Sequence, residues 1–357
     1  MTTLGRYLSR QILYATLFVL VAFLALFAFF DLISELGDVG KAGYGLPQAF
    51  AYVLLSIPGH VYELFPIVVL IGTLYALADL AAKSEYTVMR TAGLSAATAA
   101  KALLPLGFAF VAATALVGEL VTPFAERAAQ AVRVGAMGAI IGQELRSGVW
   151  IKSDTRIVNI GTVRTDGSIA NVRLYEFDAG YRLASIRDAA EGRNVRDNVW
   201  RLTDVVETRF QRDSASVERM PELDWTSVLT PELLSVLTVD PQRMTAWDLV
   251  RYLRHLAQNN QRTDRYEIAL WKKVLYPFAA LVMMGLALPA AYVQARQGAI
   301  GVKVFAGIMV GVVFHGLNSL ASHLGILQGW PPLLAAVLPS ALFLVAAVAT
   351  LWWVERR

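Results

Sequence analysis

Long apolar stretches occur in two groups of three along the chain, separated by one polar insert. The insert runs from about residue 122 to residue 266 and carries charges throughout. Each apolar stretch approaches the ~20 residues that a helix needs to cross ~30 Å of hydrocarbon at 1.5 Å per residue. The pattern therefore predicts six membrane-spanning helices, at residues 12–30, 64–80, 102–118, 274–295, 304–321 and 333–354.

The insert has the alternation of apolar and polar residues that is typical of half-buried strands. Turn sequences rich in Asp, Asn and Gly separate the alternating segments. Short strands at this spacing predict an antiparallel sandwich or jellyroll. The predicted strands are residues 150–152, 156–160, 172–177, 181–187 and 200–205, and helical segments flank them at 123–144 and 245–259.

The composition agrees with a membrane protein. Of the 357 residues, 56% are hydrophobic and only 17% are charged, whereas soluble domains carry about 25% charge. The chain has no cysteine, which excludes a disulfide framework and a thiolate metal site. Arg6 and Arg10 precede an apolar run longer than the 7–15 residues of a signal-peptide core, so we expect a retained first span.

The distribution of Lys and Arg predicts the orientation, because cytoplasmic loops carry an excess of both. With six spans the two termini share one side, and cations concentrate there: Arg6, Arg10, Lys83, Arg90, Lys101, Arg296, Lys303, Arg356 and Arg357. The other side carries Asp31, Glu35, Asp38 and Glu63 against Lys41. We therefore expect cytoplasmic termini and a periplasmic insert. Lys272 and Lys273 disagree, but they follow a long domain, and such domains cross largely regardless of charge.

These patterns predict an α-helical membrane protein with six transmembrane helices and an inserted periplasmic all-β domain, a sandwich or a β-jellyroll. Residues 1–122 would hold the first three helices and residues 267–357 the last three. Residues 123–266 would form the periplasmic domain with its helical connectors.

The predicted cytoplasmic loop at residues 81–100 is the best candidate for a contact with a partner. Ser84 can cap a short helix near residues 84–93, Glu85 suits the positive end of its dipole, and Gly93 can end it. One interpretation is an interfacial turn between two spans. The other is a coupling helix that docks into a cytoplasmic motor, where Glu85 and Arg90 pair with charges and Val88 and Met89 fill a groove.

At this loop the sequence resembles the LptF/LptG family of lipopolysaccharide export permeases. The resemblance covers nearly the whole chain, and three kinds of residues carry it. The first is the string Ser-Glu-Tyr-Thr-Val-Met-Arg-Thr-Ala-Gly-Leu-Ser at residues 84–95. The second is the set of proline-containing stretches at 55–58, 65–66, 271–277 and 286–289. The third is Phe-Asp-Leu at 30–32 with Lys-Ala-Gly at 41–43, which favours the LptG branch over LptF.

The resemblance implies a non-catalytic permease subunit without a cofactor. It implies a heterodimer with an LptF-like paralogue and two copies of the ATPase LptB, which together extract lipopolysaccharide from the inner membrane. The lipid would pass through β-jellyroll domains to the periplasmic partners LptC and LptA. Glu85 would match the glutamate of the coupling helix that contacts LptB. The acidic segment 35–38 before Lys41 departs from some relatives.

The residues themselves agree that a motor must come from a partner. A phosphate-binding loop needs Gly-x-x-x-x-Gly-Lys followed by Ser or Thr. The chain has one Gly-Lys pair, Gly40-Lys41, with Ala42 after it and Glu35 where the first Gly belongs.

A site for a phosphorylated lipid needs an apolar wall and cations near the outer interface. The candidate cations are Lys41, Arg127, Arg133, Lys272 and Lys273. The candidate walls lie on spans one and five, where Phe23, Leu26, Phe27 and Phe30 and then Val310, Phe314 and Leu317 recur at helical spacing. The alternatives are that the cations snorkel or pair with Glu35, Asp38 and Glu126, and that the apolar stripes pack helices together.

Two other polar groups lie near or within predicted spans: Glu63 before span two and His315 in span five. Ionisable groups in a membrane are candidates for function, although a neutral His bonded to a neighbouring helix is the commoner outcome. The histidines show no metal spacing, and Pro277 and Pro289 predict kinks in span four.

Three other functions remain open at this point. The chain could be the LptF paralogue, or a mechanotransmission protein of the ABC type through which no lipid passes. A membrane-bound lipid enzyme would need a nucleophile–base set or paired carboxylates at one depth. Asp79 and Glu85 are near each other, but only at the cytoplasmic side, and no Ser/His/Asp grouping is apparent.

Overall fold

The computed structural model describes residues 3–41, 43–137, 148–153, 156–163, 168–178, 180, 182–196, 199–211, 214–226, 241, 244–258, 262–292 and 299–356. The chain divides into two compact units. The helical unit comprises Met1–Gly37, Ala49–Ala129 and Pro241–Arg357. The sheet unit comprises Asp38–Gln48 and Gln130–Asp240.

Six helical segments are long and apolar enough to cross a membrane, which confirms the number predicted from hydropathy. Spans one, two, three and five extend beyond the predicted apolar stretches, span four begins ten residues earlier than predicted, and span six agrees with its prediction to within one residue. The helices are α1 (Thr3–Leu36), α2 (Leu46–Ala82), α3 (Glu85–Thr91), α4 (Ala96–Leu116), α5 (Thr122–Met137), α6 (Ala246–Gln258), α7 (Asp264–Leu275), α8 (Ala279–Ala287), α9 (Ala299–Gln328) and α10 (Pro332–Glu355).

Helix α2 is the most buried span of the helical unit, and glycines allow close approach to it. A Cβ atom built on Gly72 would lie 2.6 Å from the Cα of Thr16 on α1. A Cβ atom built on Gly311 of α9 would lie 2.6 Å from the side chain of Ile67 on α2. Small residues at such crossings let helices pack where no hydrophobic effect drives them together. Spans one and five therefore both pack closely against span two.

The third and fourth spans are not regular helices. A π-helical turn at Val117–Val121 joins α4 to α5. The fourth span is α7 and α8, with a 3₁₀ turn at Tyr276–Phe278 between them and another at Leu288–Ala291. Pro277 and Pro289 each lie in one of these turns, where the missing N–H interrupts the α-helical hydrogen bonds. The predicted breaks in span four are confirmed.

The helices predicted beside the insert are present. The first begins at Thr122 and is described as far as Met137, so the predicted residues 138–144 lie outside the described residues. The second is α6, whose bounds agree closely with the predicted 245–259.

The described strands of the insert form one antiparallel sheet in chain order. They are β1 (Val149–Ser153), β2 (Arg156–Val163), β3 (Ile169–Phe177), β4 (Leu183–Arg196), β5 (Val199–Phe210) and β6 (Ala215–Thr226). The predicted β domain between the third and fourth spans is therefore confirmed. A jellyroll implies strands that cross between two sheets, whereas the described strands follow one another in chain order within one antiparallel sheet.

The sheet buries one cluster of side chains, with Trp200 and Leu202 of β5 fully buried at its centre. Around them pack Val158, Ile160, Ile169, Val172, Leu174, Ala189, Val205 and Trp225. The predicted turn at Asp178 is confirmed, since its Oδ1 accepts hydrogen bonds of 2.8 Å from the N–H groups of Gly180 and Arg182.

Two features of the sheet were not predicted. Strand β4 continues through Arg196, although the alternation is clear only to about residue 187. Strand β6 was missed completely, because nine of its twelve residues are exposed and it contains Pro221. It is the edge of the described sheet, where Pro and charges are tolerated.

Candidate functional site

Helix α3, the predicted coupling helix, is set between two tight turns. Ser84 precedes it with a φ of 61°, and its side chain makes no capping hydrogen bond, so the prediction that Ser84 caps the helix is wrong. The left-handed backbone of Ser84 turns the chain out of α2 instead. At the other end, Gly93 has a φ of 98°. The N–H groups of Gly93 and Leu94 donate to the carbonyls of Arg90 and Met89, which is the glycine-dependent end that was predicted.

The faces of α3 differ from the predicted contact surface. Met89 is 8% exposed and packs with Tyr86 in the core of the helical unit. Val88, the next residue, is 65% exposed. Adjacent positions on a helix point about 100° apart, so one residue is core and the other is surface. Of the two residues expected to fill a partner's groove, only Val88 is available.

Glu85 and Arg90 are each held by an aromatic residue from another helix or turn. The hydroxyl of Tyr7 donates a hydrogen bond of 2.8 Å to Glu85. The guanidinium of Arg90 lies 4.8 Å from the ring centre of Tyr292, within the range of a cation–π interaction. Both charged groups remain on the surface in a fixed position, which suits a contact with a partner.

Lys41 and Arg133 converge on one carboxylate in the sheet unit. Lys41 Nζ lies 2.7 Å and an Arg133 nitrogen 2.9 Å from oxygens of Asp38. The hydrogen bond from Lys41, followed by the charges of both cations, outweighs burial and lowers the pKa of Asp38 below its usual range. Lys41 is 66% exposed despite this pair. Both cations therefore pair with Asp38, as one of the predicted interpretations had it.

The other candidate cations belong to the helical unit, and two of them have carboxylate partners. An Arg127 nitrogen lies 2.9 Å from Asp248 on α6. Burial opposes ionisation of Asp248, but the Thr245 hydroxyl and Arg127 together lower its pKa. The side chain of Lys273 is only 10% exposed and lies 3.6 Å from Glu119. Lys272 is half-buried.

The aromatic residues predicted to contact lipid fall into two groups. Phe30 on α1 is 58% exposed, and Phe27 is half-buried with its ring 5.3 Å from that of His60. On α9, by contrast, Phe314 is 1% exposed and packs edge-to-face on Phe343 at 5.1 Å. Leu317 packs against the same cluster. The stripe on span five is therefore helix packing, the second of the two alternatives, because α10 covers it.

Several polar contacts of the spans were missed in the sequence. His60 Nε2 lies 2.5 Å from Asp31, linking α2 to α1. His315 Nε2 on α9 lies 3.6 Å from a carboxylate oxygen of Glu63 on α2. Each residue is visible in the sequence as a polar group near an apolar run, but the pairing depends on which spans are neighbours. Among the described residues no cluster of three His, Asp or Glu side chains could hold a metal ion.

These features define a polytopic membrane protein with a large β insert between its third and fourth spans and a short displayed helix between its second and third. The sequence profile described as "Lipopolysaccharide export system permease LptF/LptG" matches residues 6–353. The chain belongs to this family of lipopolysaccharide export permeases.

Two curated relatives are similar over almost their whole length. The lipopolysaccharide export system permease protein LptG of Escherichia coli K12 is 31% identical over 361 residues, covering 99% of this chain and 98% of the relative. The LptG protein of Haemophilus influenzae is 28% identical over 356 residues with the same coverage. Both belong to the branch that residues 30–32 and 41–43 predicted.

Proposed function

We propose that this chain is the LptG-type permease subunit of an ATP-driven exporter. It extracts lipopolysaccharide from the inner membrane and delivers it to a periplasmic bridge. The observation that carries the proposal is the full-length match to the export permease family together with six membrane spans and a β insert. The chain itself performs no hydrolysis, and a partner ATPase of the LptB type supplies the energy.

The ATPase binds at α3 in this proposal. Glu85 offers a carboxylate, Val88 an exposed apolar side chain and Arg90 a cation, all on a helix whose other face is anchored by Tyr86 and Met89. An anchored short helix with a mixed polar and apolar surface suits a groove on a soluble partner. Met89 contributes by holding the helix in place.

Lipopolysaccharide contacts two sets of residues. Lys41 and Arg133 exchange part of their interaction with Asp38 for the phosphates of the lipid, since Lys41 is largely exposed. Phe27 and Phe30 on span one face its acyl chains, supported by the exposure of Phe30. Phe314 and Leu317 pack inside the helical unit and hold span five in place. Lys272 is a weaker candidate for a phosphate contact.

The remaining partners follow from the family. The chain pairs with an LptF-like paralogue, and its insert passes the lipid towards partners of the LptC and LptA type. Its termini and α3 lie in the cytoplasm, and residues 123–266 lie in the periplasm. The support for this orientation is the concentration of Lys and Arg beside α3 and the termini.

Co-purification from the native membrane tests the function. We expect an LptB-type ATPase, an LptF-type paralogue and lipopolysaccharide to accompany the tagged chain in mild detergent. An ATPase without bound lipopolysaccharide, together with a reconstituted complex that moves none, would instead support mechanotransmission.

Single cysteines test the orientation, because the chain has none of its own. Ala92 and Ser214 are both exposed, so a cysteine at either position is accessible to a reagent. In intact spheroplasts an impermeant thiol reagent should label Ser214→Cys and not Ala92→Cys. The reverse pattern would invert the proposed topology.

A further inference from the structure

The carboxylate of Glu119 joins three segments of the helical unit. One oxygen accepts a hydrogen bond of 2.7 Å from the N–H of Ala246, the first residue of α6. The other oxygen lies 3.6 Å from Lys273 Nζ on α7. Lys273 also donates to the carbonyl of Met244, just before α6. The four groups therefore form a closed set of contacts, which we call the Glu119 joint.

The joint has a specific place along the chain. Glu119 lies where span three leads toward the insert, and Met244 and Ala246 lie where the chain returns from it. Lys273 lies within span four, in the last turn of α7. The outgoing and returning connectors are thus fastened to one another and to span four at a single point. Any rearrangement of spans three and four acts on the returning connector through these contacts.

The local backbone is adapted to hold Glu119. It is the middle residue of the π-helical turn Val117–Val121, and such turns are frequent at functional sites. The preceding residue, Gly118, leaves no room for a side chain, because an added Cβ would lie 2.3 Å from the ring of Tyr62. The extra residue in this turn and the contact with Tyr62 fix the direction in which Glu119 points.

The surroundings make the joint sensitive to loss of either charge. Lys273 is 10% exposed, and the two partners line a cavity of about 330 Å³ with apolar walls that include Val111, Val274 and Phe278. A buried charge that loses its partner is strongly destabilised, although a buried pair adds little net stability over an apolar one. A pair of this kind is better suited to fixing geometry than to raising stability.

We propose that Glu119 is a positioning residue for export: through Ala246 and Lys273 it holds the returning connector to span four, so that movement of the spans is passed on as lipid delivery. This inference rests on the proposed export function. It assigns to the joint the coupling between hydrolysis and delivery, and not the binding of ATPase or lipid.

The test uses the whole complex in liposomes and measures ATP hydrolysis and delivery of radiolabelled lipopolysaccharide separately. Glu119→Gln keeps an oxygen for the N–H of Ala246 and removes the charge that faces Lys273. We expect the lipid delivered per ATP to fall about tenfold, a typical size for a coupling between sites. The hydrolysis rate should stay near that of the wild type, whereas the melting temperature should fall, because buried Lys273 loses the charge that faces it. Asp264→Asn, which removes an exposed carboxylate in the first turn of α7, is the matched control. It should leave the lipid delivered per ATP, the hydrolysis rate and the melting temperature unchanged.

A reversible link separates positioning from simple stability. In a chain that carries Glu119→Gln, Ala246→Cys and Lys273→Cys, a reducible bis-thiosulfonate reagent joins the returning connector directly to span four. This chain should deliver lipid when linked and lose delivery when reductant is added to the same sample. Wild-type delivery per ATP in Glu119→Gln, or equal delivery by the linked and reduced forms, would overturn the inference. If the wild-type complex itself moves no lipopolysaccharide, the proposed function fails rather than the joint.

Discussion

The hydroxyl of Tyr7 donates a hydrogen bond of 2.8 Å to the carboxylate of Glu85, which lies 78 residues further along the chain. The bond joins the beginning of span one to the first residue of α3. A cation from an ATPase that reaches Glu85 must therefore share the carboxylate with Tyr7 or displace it. Binding at α3 is in this way connected to span one, whose exposed aromatic residues are candidates for lipid contact.

Reversal of the charge at Glu85 tests the ATPase contact. Glu85→Lys should reduce co-purification of the ATPase by at least tenfold, since an unfavourable charge at a partly desolvated contact costs about 2–5 kcal/mol. Tyr7→Phe is the control, because it removes the internal hydrogen bond and leaves the carboxylate in place. Quantitative pull-down in mild detergent measures both variants. Wild-type recovery of ATPase with Glu85→Lys would restrict Glu85 to a role within the chain.

Val88 and Met89 should separate binding from stability, although they are adjacent. Val88→Asp places a charge on an exposed position and should weaken ATPase binding while the melting temperature stays unchanged. Met89→Ala creates a cavity in the core and should cost about 2–5 kcal/mol of stability. Thermal unfolding of the purified chain and the pull-down distinguish the two effects. Equal loss of melting temperature in both variants would contradict the assignment of the faces of α3.

A photo-crosslinking residue can locate the lipid path. At Phe30, which is 58% exposed, we expect capture of lipopolysaccharide, and at Phe314, which is 1% exposed, only links to protein. Leu342 on α10 is 54% exposed and serves as a control, since it should capture bulk phospholipid and not lipopolysaccharide. Links from Phe30 to phospholipid or protein alone would remove span one from the proposed path.

Removal of Asp38 tests whether Lys41 and Arg133 bind phosphate. The pKa of Asp38 is lowered, so this carboxylate stays ionised at neutral pH and competes with any phosphate for the two cations. Asp38→Asn should increase the lipopolysaccharide retained, and Lys41→Gln should decrease it. Both effects should shrink as salt rises, because these groups are near solvent. Unchanged retention in both variants would show that Asp38, Lys41 and Arg133 have a structural role and do not bind the lipid.

The contribution of Asp38 to the stability of the folded chain depends on pH in a defined way. Because its pKa is lower in the folded chain than in the unfolded chain, its contribution to stability is complete above the unfolded value, ~3.9. The contribution is lost as the pH falls through the lower folded value. Between pH 5 and pH 8 the retention of lipid should therefore not change through Asp38.

Truncation of Trp200 tests the core of the sheet unit. Trp200 is fully buried, so Trp200→Ala should destabilise the sheet by about 3–5 kcal/mol. Hydrogen exchange of the whole chain should show faster exchange for the amides of β2 to β5, with the spans unaffected. Val195→Ala, on an exposed position of β4, should leave exchange unchanged. Equal protection in both variants would contradict the assigned core.

The sequence predicts elements well where the chemistry is local. Apolar length gives the spans, proline gives the breaks in span four, and Gly93 gives the end of α3. The sequence predicts poorly those side-chain contacts that depend on which helices lie next to one another. The apolar periodicity of span five would be the same whether Phe314 faced lipid or packed on another helix. The contact between Phe314 and Phe343 of α10 shows that it packs on a helix. Likewise Lys273 resembles an interfacial cation until Glu119 is known to lie beside it.

Strand β6 also decides how the insert behaves among many copies of itself at a crowded membrane surface. If two molecules aligned their β6 edges antiparallel about Met220, Glu218 of each would oppose Glu222 of the other. In the same register Pro221 would face Arg219 without an N–H to donate. Like charges directly opposite one another are unfavourable in a sheet. This alignment is therefore unfavourable, which opposes the joining of two inserts through their β6 strands.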